Sequence, residues 1–436
     1  MSRIGLARQR PSARQGVGGK VTNQNSPMKN YKVRLLPLLA ILGCLSWLSG
    51  CQQDEVNAPP VVERFRLLDP IKKDSTFTAA VPGTLLVIQG KNLNNAVNVY
   101  FNDFPAAFNP VYNTAENLII TIPAQTPTAV TAPKVSNKVR IVTTHGEGTF
   151  DFTVVQAPPV IASISNENAS PGDSITIAGA NFFGVSKIVF PGNLEVDSTR
   201  FRPNREGTLI RVRVPANMTQ SGPLSIVATF GTTTTPAPIN YVTGPGVLCN
   251  FDDVNTFAGW SGTASKDATL FPGNKGSFGY LSVKGIVGGN SEWWTSGRSI
   301  NVNETQWIAP ANLKAPVSDY ALKFEIFVKT PWKTGTMLIT PNRDAKPNSY
   351  TYRYTPWKIG TASVDFQTTG WQTVTIPLSE FRTSNGTGDA APSLEALLGA
   401  AGKNQFQMML VADTDGMGEV SIGVDNIRVV SNKAVK

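Results

Sequence analysis

The strongest constraint on how this chain folds is that it repeats itself. Pro82-Gly83, Gly90, Asn92 and Phe101 recur as Pro171-Gly172, Gly179, Asn181 and Phe190, each pair 89 positions apart. Ala58-Pro59-Pro60-Val61 returns as Ala157-Pro158-Pro159-Val160. Ile120-Thr121-Ile122-Pro123 is answered by Val212-Arg213-Val214-Pro215, and Val142-Thr143-Thr144-His145-Gly146 by Val227-Ala228-Thr229-Phe230-Gly231. Matched punctuation in one order means a duplicated domain. Within each copy, Leu86-Ile88 and Ile175-Ile177 read as inward-facing strand positions separated by Gly, Pro and Asn turns. A unit of about 90 residues with this pattern is the size of an immunoglobulin-like sandwich.

The formal charge of +9 invites a nucleic-acid reading, so the position of the charges matters. Residues 1–50 hold eight bases and no acid, and the rest of the chain carries 31 bases against 30 acids. Met28-Lys29-Asn30-Tyr31-Lys32-Val33-Arg34 is a short basic segment, followed by an apolar run from Leu35 to Trp47. That run is too short to span a bilayer as a permanent anchor. It ends in Leu48-Ser49-Gly50-Cys51, which resembles the lipobox of bacterial lipoproteins. The resemblance implies that residues 1–50 are a signal, with Met28 as the true start, and that Cys51 is lipidated. The acids Asp54 and Glu55 after Gln52-Gln53 resemble the export signal of Bacteroidota-type surface lipoproteins. Localisation at the outer face of the outer membrane, held by lipid rather than by a span, is therefore expected. The near-neutral remainder gives nucleic acid little to hold.

Pro171-Gly172-Asp173-Ser174-Ile175-Thr176-Ile177-Ala178-Gly179-Ala180-Asn181-Phe182 resembles the IPT/TIG subfamily of Ig-like domains, and Pro82 to Phe101 matches less closely, with Leu93 in place of Phe182. The expected architecture is all-β: a linker at 51–58, Ig-like sandwiches at 59–156 and 157–244, and a jelly-roll sandwich at 245–436. The repeats contain no Trp and no basic cluster, and they read as spacers. His145, the only histidine, falls where the second copy has Phe230, and a packing role is expected for it. With 3 Cys, of which Cys44 leaves with the signal, a structural disulfide is excluded.

Composition changes after Gly244-Pro245-Gly246, which reads as a hinge: seven of the eight Trp lie beyond it. The segment opens with Phe251-Asp252-Asp253 and closes with Val424-Asp425-Asn426-Ile427-Arg428-Val429. Between them, 321–328 alternates as a strand, 371–378 is another, and only 392–401 reads as a short helix. These features resemble carbohydrate-binding jelly rolls. The whole layout resembles the surface glycan-binding lipoproteins of polysaccharide-utilisation loci, nearest to the xyloglucan-binding type.

That resemblance implies a polysaccharide ligand, an outer-membrane TonB-dependent transporter with its glycan-binding lid lipoprotein, and surface glycoside hydrolases as partners. No cofactor is expected. A flat indole suits the apolar face of a β-linked pyranose. Trp294, Trp332 and Trp357 sit beside turn formers and are the candidate stacking residues, whereas Trp260, Trp307 and Trp371 are expected to be buried. Tyr352 and Tyr354 share a strand face, to be either platform or core, with Arg353 opposite. Asn290, Glu292, Arg343 and Arg353 are the candidate polar contacts.

A glycosidase is the alternative, but no Glu-x-Asp-x-x-Glu arrangement is present, and Glu325 between Lys323 and Lys329 reads as a solvated strand face. An adhesive protein-binding module would leave the Trp cluster unexplained. Asp252, Asp253 and Asp425 are the weak candidates for a structural calcium, with turn capping as the favoured role.

Overall fold

The computed structural model describes residues 58–132, 134–254, 263–290, 292, 297–342, 349–413 and 415–433. In the first repeat, the strands Val61–Leu67, Leu85–Lys91, Asn117–Thr121 and Phe108–Asn113 form one antiparallel sheet in that spatial order. The second sheet runs Phe104–Ala106, Ala96–Phe101, Lys138–Thr143, Gly146–Asp151. The second repeat has the same order: Val160–Ile164, Ser174–Ala180, Leu209–Arg213, Arg202–Pro203 against Leu194–Asp197, Val185–Phe190, Ser225–Ala228, Gly231–Thr234. Leu86, Ile88, Val99 and Phe101 fill the first core, and Ile175, Ile177, Ile188 and Phe190 the second.

The repeated punctuation has a physical cause. A Cβ on Gly90 would sit 1.9 Å from the Val61 carbonyl oxygen, and one on Gly179 would sit 1.9 Å from that of Val160. Both glycines lie where the pairing with the first strand shifts by one residue. Two positions on, Asn92 and Asn181 adopt φ of 57° and 60°, and their amides donate to the Pro59 and Pro158 carbonyls at 3.3 and 3.2 Å. Leu93 and Phe182 are both buried. His145 and Phe230 instead occupy hairpin turns, the imidazole half-buried and Phe230 exposed, so neither is a core packing position.

The C-terminal domain is a β-sandwich. Its larger sheet orders Thr263–Ser265, Phe278–Val283, Val420–Ser431, Tyr320–Val328 and Gln372–Pro377, with Val247–Cys249 also paired to Val420–Ser431. The facing sheet orders Ser299–Gln306, Lys403–Val411, Thr336–Thr340 and Tyr352–Tyr354. Leu322, Phe324, Ile326, Met337, Ile339, Met408 and Leu410 pack between them. The short helix Leu394–Leu398 is capped by Ser393, whose hydroxyl accepts from the Ala396 amide at 3.1 Å.

Two sequence expectations are corrected here. Glu325 is not on a solvated face: it is 2% exposed, because the outer side of the larger sheet is covered by the second Ig-like domain. Nor is Gly244-Pro245-Gly246 a free hinge. The Gly246 carbonyl accepts from the Val429 amide at 2.8 Å, the Tyr241 hydroxyl donates to the Pro245 carbonyl at 2.8 Å, and a Cβ on Gly246 would meet the Val429 oxygen at 2.3 Å. The turn is pinned to the last strand.

Candidate functional site

The aromatic candidates separate by burial. Trp332 is 0% exposed; its indole N–H donates to the Thr334 carbonyl at 2.7 Å and its ring meets Tyr354 edge-on at 6.0 Å. An indole without an open face stacks on no sugar, so Trp332 is a core residue. Tyr352 and Tyr354 point into the sandwich as well, against Phe381 at 6.0 Å and Phe324 at 6.2 Å. Burial pushes the Tyr354 hydroxyl well above the usual phenol range. Both tyrosines are half-buried and pack on the core. Alternation correctly grouped these rings on one face; it carried no information about which face the core takes.

Trp307 and Trp371 are buried. Trp294, Arg343 and Trp260 lie outside the described residues, as does Cys51. Trp357 is half-buried and packs against the same core. Its N–H donates to the Gly335 carbonyl at 2.8 Å, which fixes the ring plane beside the hairpin Lys358–Ile359/Ala362–Ser363. Ile359 is 65% exposed on that hairpin, and the nearby Val364 amide donates to the Trp357 carbonyl at 2.8 Å.

Arg353 faces the other way, onto the outer side of the smaller sheet, where it pairs across from Leu338. Its guanidinium donates to Asp413 at 2.7 Å, to the Thr336 hydroxyl at 3.2 Å and to the Asn385 carbonyl at 3.3 Å. Thr336 donates to the same Asp413 oxygen at 3.0 Å. Leu338, Met409 and Val411 supply the apolar floor. Asn290 approaches the same strand end: its side-chain oxygen accepts from Arg298 at 2.9 Å and from the Glu292 amide at 2.9 Å. Gly289, the residue before it, donates to the Ala412 carbonyl at 3.2 Å and to that of Asp413. Burial lowers the Arg298 pKa, against the opposing charge of Glu292.

The structure thus brings Arg353 and the Gly289 amide to Asp413, while Asn290 and Glu292 gather around Arg298. Arg298, Thr336 and Asp413 are not among the residues the sequence marks as candidates. Nor does it mark a strained loop: Ser384 and Asn385 have φ of 53° and 55° in succession, and a Cβ on the next residue, Gly386, would lie 2.6 Å from Arg353 Cγ. Two non-glycine residues in the left-handed region cost roughly 1–2 kcal/mol each and cluster at functional sites. Inside the same sheet, the buried Gln407 donates to Asn301 at 2.6 Å while its side-chain oxygen has no partner.

Of the acids proposed for calcium, Asp252 and Asp253 are engaged in turns and Asp425 lies within the last strand. Asp252 accepts from the Ser277 amide at 2.8 Å, and Asp253 accepts from Asn250 at 2.6 Å. Asp425, 3% exposed, accepts from the Asn426 amide at 2.7 Å. Among the described residues no group of three or more His, Cys, Asp or Glu is placed to hold a metal. Burial, with Glu325 and Asp252 nearby, raises the Asp425 carboxyl well above its ordinary range.

Residues 241–431 match the family model described as the surface glycan-binding protein B xyloglucan binding domain. That match spans the C-terminal domain. The matched region contains both sheets, Trp357 and the Asn290–Arg298 and Arg353–Asp413 constellations. An IPT/TIG domain-containing protein of Bacteroides ovatus is 32% identical over 203 residues, covering 44% of this chain and 40% of the relative. The chain therefore spans about two fifths of the length of that curated relative. The crystal structure of surface glycan-binding protein PbSGBP-B from Prevotella bryantii aligns with a TM-score of 0.59 at 23% identity, covering 86% of this chain and 99% of that one. That likeness shows a shared all-β fold.

Proposed function

We propose that the protein is a non-catalytic binder of β-linked plant glycan, xyloglucan foremost, acting at the cell surface. The observation that carries this reading is the family match over 241–431, in a domain that presents an oriented indole at Trp357 and amide and guanidinium groups around Asp413. A pyranose offers an apolar face for the first and hydroxyls for the second.

Several features argue against hydrolysis. Retaining and inverting glycosidases need two carboxylates flanking the scissile bond, one of them free to protonate it. Glu325, the acid on the central strand, is instead committed to Arg428 at 2.9 Å. Asp413, the acid beside Arg353, accepts from its guanidinium at 2.7 Å.

Cys51 carries the lipid anchor in this reading, and the Ig-like domains hold the binding domain away from the outer membrane. Captured glycan passes to a TonB-dependent transporter with its lid lipoprotein, and surface glycoside hydrolases act on the same polymer.

Native affinity gels containing xyloglucan, mixed-linkage glucan, glucomannan or starch test the reading. Retardation by xyloglucan without release of reducing sugar is expected. Migration unchanged in every gel would remove the binding function, and sugar release would make the protein an enzyme.

A further inference from the structure

The second repeat carries a basic face that the first lacks. Arg200, Arg202, Arg205, Arg211 and Arg213 fall within fourteen residues whose only acid is Glu206. Apolar residues and turn formers separate them, so they make no run in the sequence. The expectation that the repeats lack a basic cluster is corrected for this copy. All five arginines are exposed.

The sheet gathers them. Along Leu209–Arg213, Ile210 and Val212 are buried, which turns Arg211 and Arg213 to the outer side. The neighbouring strand Arg202–Pro203 sets Arg202 directly opposite Arg211. Like charges in that position destabilise a sheet. Among the described residues, no ion pair involves any of the five arginines. The acids at hand are engaged elsewhere. Glu195 pairs with Lys187 at 2.6 Å, Asp197 accepts from the Thr199 amide at 2.9 Å, and Asp173 accepts from the Ser170 amide at 2.9 Å. Bonds from Thr199 chiefly hold the Asp197 carboxyl below its usual range, with Arg200 a lesser influence.

The fold does not require this charge. In the first repeat Ile119 and Thr121 stand where the second has Arg211 and Arg213, on the strand Asn117–Thr121, which keeps the same place in its sheet. The inward positions, Ile120 and Val212, are buried alike.

Two polar hollows take up three of the arginines. One, of about 720 Å³, is lined by Arg200 and Arg213 with Asn193, Glu195 and Asn217. The other, of about 390 Å³, is lined by Arg211 with Ser174 and Thr176 of the same sheet and by Asp173, and it reaches Gln372 of the C-terminal domain. A guanidinium fork grips a carboxylate through two parallel hydrogen bonds. The amides and hydroxyls around it can exchange hydrogen bonds with sugar hydroxyls.

We infer that this arginine face is a second ligand site, which takes an acidic polysaccharide through its uronate carboxylates. A neutral glycan would leave the positive charges unanswered. A flat lipid surface would meet the exposed guanidiniums without entering the hollows. The second repeat is then a binding domain in its own right rather than a spacer. The inference does not depend on which glycan the C-terminal domain takes.

Affinity gels containing polygalacturonate test the site, run on the chain lacking its signal beside the triple variant Arg202→Gln, Arg211→Gln, Arg213→Gln. Polygalacturonate should retard the parent, and added salt should weaken that retention, because exposed charges are screened. The triple variant should lose about tenfold in affinity with the carboxylate contacts gone. Its melting temperature should hold or rise as the like-charge repulsion is relieved. Its migration in xyloglucan should match the parent's, whether or not xyloglucan binds. If the triple variant melts early, Arg211→Gln alone carries the comparison, with a loss of about threefold. Free migration of the parent in polygalacturonate, or equal retention of the variants, overturns the site. Binding of duplex DNA or of phosphatidylglycerol vesicles as tight as that of polygalacturonate overturns its assignment to acidic glycan.

Discussion

Arg428 and Glu167 stand 261 positions apart in the chain and meet at 2.8 Å, with the guanidinium fully enclosed. Breaking a buried pair from one side leaves an uncompensated charge, which costs about 3–5 kcal/mol. Glu167→Ala is therefore expected to lower the melting temperature of the second-repeat and C-terminal body markedly. Replacing the whole cluster with apolar residues of similar volume should cost far less. Differential scanning calorimetry of both variants checks the contrast; equal losses would mean that the charges contribute only their packing.

Two acids at this junction respond to pH in opposite directions. Glu167 is held below its ordinary value, so its contribution is complete above the unfolded carboxylate range near ~4.3 and disappears as pH falls through the lower folded value. Asp425 is raised well above its ordinary value by burial and by Glu325 and Asp252, so the folded state binds a proton that the unfolded state releases. Its ionisation opposes folding, and that penalty grows as pH rises through the folded value. Asp425→Asn should raise the melting temperature at pH 7 by about 2–4 °C, the shift that ~1 kcal/mol makes in a domain of this size. At pH 4 the gain should shrink. Melts across pH 3.5–8 measure both slopes, and a destabilised Asp425→Asn at pH 7 would contradict the assignment.

Trp332 and Trp357 are separated by their environments. Trp332→Ala empties a fully enclosed site and should cost about 3–5 kcal/mol of stability. Trp357→Ala should leave the fold nearly intact and weaken glycan binding about tenfold, since an aromatic contact contributes roughly 0.5–1.5 kcal/mol beyond its area. Thermal melts and affinity gels on the two variants test this; intact stability in Trp332→Ala would contradict its placement.

Arg353 links the outer sheet face to the strained loop through Asp413 and the Asn385 carbonyl. Its side chain is 27% exposed and that of Asp413 55%, so the pair contributes less than about 1 kcal/mol to stability. Arg353→Met should barely move the melting temperature. It should reduce xyloglucan affinity by about tenfold if the guanidinium meets the glycan hydroxyls. Isothermal titration beside a melt separates the effects, and an unchanged affinity would place the ligand elsewhere on the domain.

What the sequence made legible was whatever leaves a local trace. Gly90 and Gly179 show as matched punctuation because any Cβ there would strike a carbonyl oxygen at 1.9 Å. Alternation placed Arg353 opposite Tyr352 and Tyr354, as found. The polar stretch around Glu325 could not reveal its covering, because Glu167 lies in another domain and nothing nearby in sequence marks the pairing. Trp332 stands next to a turn, as an exposed residue would, yet its ring folds beneath that turn to reach the Thr334 carbonyl. Nothing near Asp413 in sequence marks its role, because its partner, Arg353, comes from a strand 60 positions earlier.

The central claim is that residues 241–431 bind β-linked glycan through the surface bearing Trp357 and Arg353. Isothermal titration of the chain lacking its signal with a xyloglucan oligosaccharide, alongside the Trp357→Ala and Arg353→Met double variant, tests it most directly. Saturable heat from the parent, lost in a double variant that remains folded, is the expected result. No heat from the parent, or the same affinity in both, would contradict the account.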